Sequence, residues 1–76
     1  MQRVNDRLGG IVREFRQARG WSQEKLAERA DLNRSYLGEI ERGQATASLI
    51  TVFKLADAFD IPPSALVLHC EQSVSA

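Results

Sequence analysis

Two stretches of helical periodicity, about Gln23 to Arg29 and Arg34 to Arg42, flank a tight turn at Asp31-Leu32-Asn33. Isolated helices shorter than about 12–15 residues are marginal in water, so a pair this short cannot stand alone. It must lean on a core supplied by the rest of the chain, and three further segments are patterned to supply one. From about Asn5 to Arg19, Leu8, Ile11, Val12 and Phe15 recur at three- and four-residue steps, and Gly20 follows as a left-handed stop. From about Leu49 to Phe59, Leu49, Val52, Phe53, Leu55, Ala56 and Phe59 supply apolar positions. Asp60-Ile61-Pro62 breaks the chain, and Pro63 suits the first turn of a last helix reaching about Leu68. Ser22, Asn33 and Ser48 are placed as N-caps, and Gly43 ends the third helix. Almost nothing reads as a strand. The expected fold is all-α, a compact five-helix bundle.

With 76 residues, 43% of them apolar, the chain has room for one core and no second domain. Residues 1–70 are expected to form that domain and residues 71–76 a flexible polar tail. The apolar runs are far too short for a membrane span. The start, Met1 to Arg7, is polar and lacks the apolar stretch of a secretion signal. A single cysteine, Cys70, precludes an internal disulfide and points to a reducing, cytoplasmic setting.

The third helix carries the distinctive chemistry. At about 100° per residue, Leu37 and Ile40 point one way, while Arg34, Ser35, Gly38, Glu39 and Arg42 point the other. Glycine in an exposed helix costs about 1 kcal/mol relative to alanine, so Gly38 suggests close approach to another surface. A short helix pair with an outward polar face on its second helix has the geometry of a helix-turn-helix, whose second helix enters the DNA major groove. Net charge is zero, unusual for a nucleic-acid binder, but residues 1–42 carry a balance of +2 and residues 43–76 one of −2. Neither paired carboxylates, a nucleophile set nor a phosphate-cradling glycine loop is present, which argues against an enzyme. His69 and Cys70 are adjacent but lack further ligands at metal-binding spacing. No metal, cofactor or small-molecule substrate is expected.

The order Ser22-Gln23-Glu24-Lys25-Leu26-Ala27, Asn33-Arg34-Ser35-Tyr36-Leu37, Glu39-Ile40-Glu41-Arg42-Gly43 and Leu49 … Leu55-Ala56 resembles the phage-repressor-like (XRE-type) helix-turn-helix family, with the lambda-repressor-like fold. The resemblance spans about Leu8 to Leu66. Asp31 to Gly43 also resembles the controller proteins of restriction–modification systems. The resemblance implies that Arg34 and Ser35 read bases, followed by Asn33 and Glu39, with Gly38 on the same face. Arginine can donate two hydrogen bonds to guanine, and glutamate can accept one from cytosine. Glu39 reads equally well as a solvated residue or as the partner of Arg42. The resemblance also implies phosphate contacts from Ser22, Gln23, Tyr36, Arg42, Gln44 and Thr46; for Tyr36 the alternative is half-buried packing. Arg16 and Glu41 match an internal ion pair of the family, a structural clamp. The segment Gln44-Ala45-Thr46-Ala47 departs from the basic residues and Asn-Pro that relatives often carry, so binding should be less salt-dependent.

One recognition helix reads only a few base pairs, so a homodimer on a palindromic site is expected. Ile50, Ile61, Pro63, Val67 and Leu68 exceed what one thin core needs and are candidates for the dimer contact. Such a regulator would occupy double-stranded DNA at a promoter, its own included, and block or recruit RNA polymerase. The alternative is a helical protein-interaction module, such as the partner-binding half of a toxin pair.

Overall fold

A computed structural model describes residues 2–72, with side chains from Val4 onward. Five helices follow in order: α1 (Gln2–Ala18), α2 (Gln23–Ala30), α3 (Arg34–Glu41), α4 (Leu49–Ala58) and α5 (Pro63–Gln72). Three side chains decide where the middle helices begin, by accepting from backbone N–H groups that a helix leaves unpaired. Ser22 Oγ accepts from Lys25 N (3.0 Å). Asn33 Oδ1 accepts from Ser35 N (2.8 Å) and Tyr36 N (3.2 Å). Ser48 Oγ accepts from Thr51 N (3.1 Å). The turn between α2 and α3 is closed by Asp31 in the left-handed region (φ 55°), with Leu32 N donating back to Ala27 O (2.8 Å).

Each helix contributes a fully enclosed aliphatic residue larger than alanine: Val12, Leu26, Leu37, Leu55 and Leu66 are all 0% exposed. Phe59, Ile11, Ala27, Ala30 and Ala56 complete the same cluster. α3 packs on α1 and α2, α2 on α4, and α5 on α4 and α1. The helix pair α2–α3 therefore rests on a base made by the other three, with one side of α3 left open. At the opposite end the Arg19 guanidinium lies over the rings of Phe59 (4.9 Å), Phe15 (5.6 Å) and Trp21 (5.7 Å). Its Nη2 donates to Phe59 O (2.8 Å), which ties the end of α1 to the end of α4.

Several expectations change. α1 begins at Gln2 rather than near Asn5. Leu49 and Phe53 do not join the core: they are 71% and 53% exposed. A ten-residue helix buries one stripe, and in α4 that stripe is Val52, Leu55, Ala56 and Phe59. α5 continues past Leu68 to Gln72, because no glycine or proline interrupts it and Cys70 packs back on the core. Glu71 and Gln72 are thus helical, and residues 73–76 of the expected tail lie outside the described residues. Among the described residues no helix is long and apolar enough to cross a membrane.

α1 and α3 approach closely at Gly9. A Cβ there would run into the Ile40 carbonyl oxygen and fall 2.7 Å from that of Glu41. Gly9→Ala is therefore expected to destabilise the fold by about 1–3 kcal/mol through overpacking, despite the better helix propensity of alanine. The readout is a lower urea midpoint at unchanged m-value. A midpoint at or above that of the wild type would mean the helices can separate freely here.

Candidate nucleic-acid interface

The open side of α3 begins with residues that local structure forces outward. Arg34 and Ser35 occupy the first turn, beyond the Asn33 cap, and both are exposed. Glu39, one turn on, is exposed as well. Leu37 and Ile40 anchor the helix from behind at 0% and 1% exposure. Three of the five expected base readers, Arg34, Ser35 and Glu39, thus share one free face. Asn33 is exposed, but its Oδ1 is committed to capping α3, so only its amide NH2 remains for another partner.

Gly38 is the exception to the expected outward face. It is buried, covered by the Arg42 guanidinium and flanked by the Gln23 amide. In the free protein those side chains stand between it and the open side of α3. The 100° wheel placed it correctly in angle, but the wheel ignores a long side chain folding back from one turn later.

Behind α3 lies a buried carboxylate. Glu41 is 4% exposed and accepts from three donors: Arg16 Nε (2.7 Å), Arg16 Nη2 (3.0 Å) and Gln23 Nε2 (3.0 Å). Arg16 Nη1 reaches on to Trp21 O (2.9 Å), and Arg13 Nη2 to Glu41 O (3.3 Å). One network therefore joins α1, the α1–α2 connection, α2 and α3. Donation of hydrogen bonds to Glu41 raises the pKa of Arg16 above its usual value, against the desolvation that opposes it, with Coulomb attraction to Glu41 adding to the rise. A raised cation stabilises the fold at every pH below the ordinary arginine range. That contribution disappears only in strong alkali, as pH climbs through the folded value. Gln23, a candidate phosphate contact, turns one amide N–H inward to Glu41. No local signal in the sequence distinguishes these two uses of the glutamine.

The connection from α3 to α4 is tied down at several points. Tyr36 is half-buried, and its hydroxyl donates to Thr46 O (3.2 Å) and lies 3.3 Å from Thr51 Oγ1. Its hydroxyl is thus engaged inside the chain and not simply in water. Thr46 Oγ1 accepts from Asn5 Nδ2 (3.4 Å). Arg42 turns to Gln44, with Nε donating to Oε1 (3.0 Å), rather than to Glu39. Ser22 Oγ serves as the cap of α2 and remains exposed. Ser22, Arg42, Gln44 and Thr46 are all exposed.

The apolar residues expected to pair two copies separate into different places. Ile50, Ile61 and Pro63 join Phe53, Lys54 and Asp57 around an open groove of about 410 Å³. Val67 instead lines a smaller cleft, about 180 Å³, with Val4, Leu8, Val52 and Cys70 among its walls. Leu68 is 49% exposed and lines neither. Among the described residues no group of three His, Cys, Asp or Glu side chains could hold a metal ion. His69 sets its ring edge-on to Phe15 at 5.1 Å.

A short capped helix with an exposed polar face, braced by a second helix across a tight turn and by a buried ion pair, defines a helix-turn-helix DNA-binding regulator, a class without catalytic activity. The chain belongs to the HTH_3 helix-turn-helix family, whose model matches residues 12–66. It is 39% identical over 71 residues to the control protein C.BamHI of Bacillus amyloliquefaciens, covering 86% of this chain and 88% of that protein. It is 33% identical over 60 residues to the transcriptional regulator SutR of Escherichia coli, covering 79% of this chain and only 34% of SutR. Its fold is similar to the restriction–modification controller protein C.AhdI of Aeromonas hydrophila, with a TM-score of 0.78 and 48% identity over 82% of this chain and 94% of that one.

Proposed function

We propose that this chain is a sequence-specific regulator that binds double-stranded DNA as a homodimer on a palindromic operator, in the manner of a restriction–modification controller acting on its own promoter. The observation that carries this reading is the free face of α3. Arg34, Ser35 and Glu39 stand exposed on a helix that Leu37, Ile40 and Glu41 hold rigidly from behind. Their side chains offer the donors and acceptors that match base edges in the major groove. Arg42, Gln44, Thr46 and Ser22 surround that face as phosphate contacts, which set position but not sequence. Similarity to controller proteins over nearly their whole length favours this reading over a partner-binding module. Occupancy of a promoter in the cytoplasm would then block RNA polymerase or recruit it, according to where the operator lies. Selection from a random duplex library is the test: the expected winner is a two-fold symmetric site, and enrichment of no sequence refutes the proposal.

The dimer contact is assigned to the outer face of α4 and its groove. Ile50 is 70% exposed and Phe53 53%, beside the half-buried Ile61 and Pro63. Exposed residues of this size on neighbouring turns belong in an interface. The double change Ile50→Glu with Phe53→Glu is expected to yield a monomer by sedimentation. Operator affinity should fall by about 10²–10⁴-fold as the second half-site contact becomes independent of the first. A dimer that survives both charges would move the contact elsewhere.

A further inference from the structure

We infer that Gly38 is a positioning residue, whose missing side chain gives the Arg42 guanidinium a seat on α3 and so sets where that charge meets DNA. The inference rests on the DNA reading of α3 proposed above. Gly38 sits in the middle of an eight-residue helix, where glycine is poorly suited. The reason is unlike that at Gly9, whose missing Cβ makes room for the backbone of α3. At Gly38 the three atoms nearest to an added Cβ all belong to side chains: Arg42 Nη1 at 3.1 Å, Gln23 Oε1 at 3.7 Å and Arg42 Cζ at 3.8 Å. No helix–helix approach accounts for the glycine.

Arg42 is the C-cap of α3, with its backbone N–H donating to Gly38 O (3.1 Å). Its side chain folds back over that same residue. The guanidinium is then bracketed. Gln44 Oε1 takes the Nε hydrogen at 3.0 Å, Gly38 lies beneath, and the Gln23 amide oxygen stands to one side. With Nε engaged, the Nη groups carry the remaining donors, in the planar arrangement that suits a phosphate. A methyl group at position 38 is closer to Nη1 than ordinary contact permits, and the flexible arginine gives way before the helix does. The consequence is a displaced charge on an intact fold.

The experiment compares Gly38→Ala, Arg42→Ala and the double variant on the duplex selected by the wild type. Gly38→Ala is expected to keep or raise Tm, by up to about 5 °C through helix propensity. It should nevertheless lose about three- to tenfold in affinity, with a shallower dependence on salt as a phosphate contact is lost. In the Arg42→Ala background the same change should alter affinity by less than about twofold. An equal loss in both backgrounds overturns the inference, because the methyl group then clashes with DNA itself. A fall in Tm also overturns it, since the role is then structural. A wild type that selects no sequence defeats the DNA reading and the role together. The seat is tested independently by a nuclear Overhauser contact between the Gly38 Hα and Arg42 side-chain protons in free protein. Absence of that contact in the wild type overturns the seat even where DNA binding stands.

Discussion

Arg34→Ala is expected to abolish operator selection while leaving the fold untouched. A good bidentate arginine–guanine pair discriminates by about 1–3 kcal/mol, and a dimer on a palindrome places two such pairs. The loss is then about 2–6 kcal/mol, or roughly thirty- to twenty-thousand-fold in affinity for the selected duplex. Binding to unrelated duplex should change far less, because phosphate contacts dominate there and only one exposed charge per protomer is lost. Stability should hold or rise slightly. Arg34 is exposed in the first turn of α3, where a positive charge opposes the helix dipole. Gel shifts on selected and scrambled duplex, run beside a thermal melt, separate these effects. Equal loss on both duplexes would make Arg34 a phosphate contact; no loss on either would remove it from the interface.

Glu41→Ala should do the reverse and damage the fold. It strips the acceptor from both Arg16 contacts and from Gln23, and leaves the guanidinium of Arg16, whose side chain is only 13% exposed, without its counter-charge. Breaking one partner of a buried pair costs about 3–5 kcal/mol. A chain of this size has a total stability of about 4–11 kcal/mol, so the variant loses from about a quarter to all of it. Urea unfolding followed by circular dichroism gives the measurement. The double change Arg16→Met with Glu41→Leu should recover most of the loss, since apolar residues of similar volume leave no charge stranded. If Glu41→Ala unfolds within about 1 kcal/mol of the wild type, the pair does not clamp α1 to α3. Arg16 itself adds no pH dependence near neutrality, because its raised pKa keeps it charged throughout that range.

Gly9 and Gly38 show where reading the chain reaches its limit. Both lie inside helices and both are disfavoured there, so the residues signal that something comes close. What comes close is different in each case: backbone of α3 at Gly9, the head of Arg42 at Gly38. Helix periodicity placed Gly38 beside Arg34 and Ser35 and therefore at the DNA. It could not include an arginine that folds back one turn. α4 raises the same difficulty with apolar residues. Leu49, Ile50 and Phe53 lie on one side, and Val52, Leu55, Ala56 and Phe59 on another. Hydrophobicity alone makes both sides candidates for the core. The side that packs against α2 and α5 became the core, and the other stays exposed, with Ile50 and Phe53 lining the open groove.

The order of amino acids determined whatever acts over one or two helical turns. Caps at Ser22, Asn33 and Ser48 fall in reach of N–H groups two or three residues away, and Arg34 and Ser35 follow Asn33 into the open because of it. Tertiary structure decided which of several possible partners each long polar side chain takes. Gln23 reaches Glu41 across 18 residues, and Arg16 reaches it across 25. A glutamine at the start of a helix can face phosphate or a buried carboxylate equally well. Only the packing of α1 and α2 against α3 brings that carboxylate within 3.0 Å, and it engages one of the two amide N–H donors.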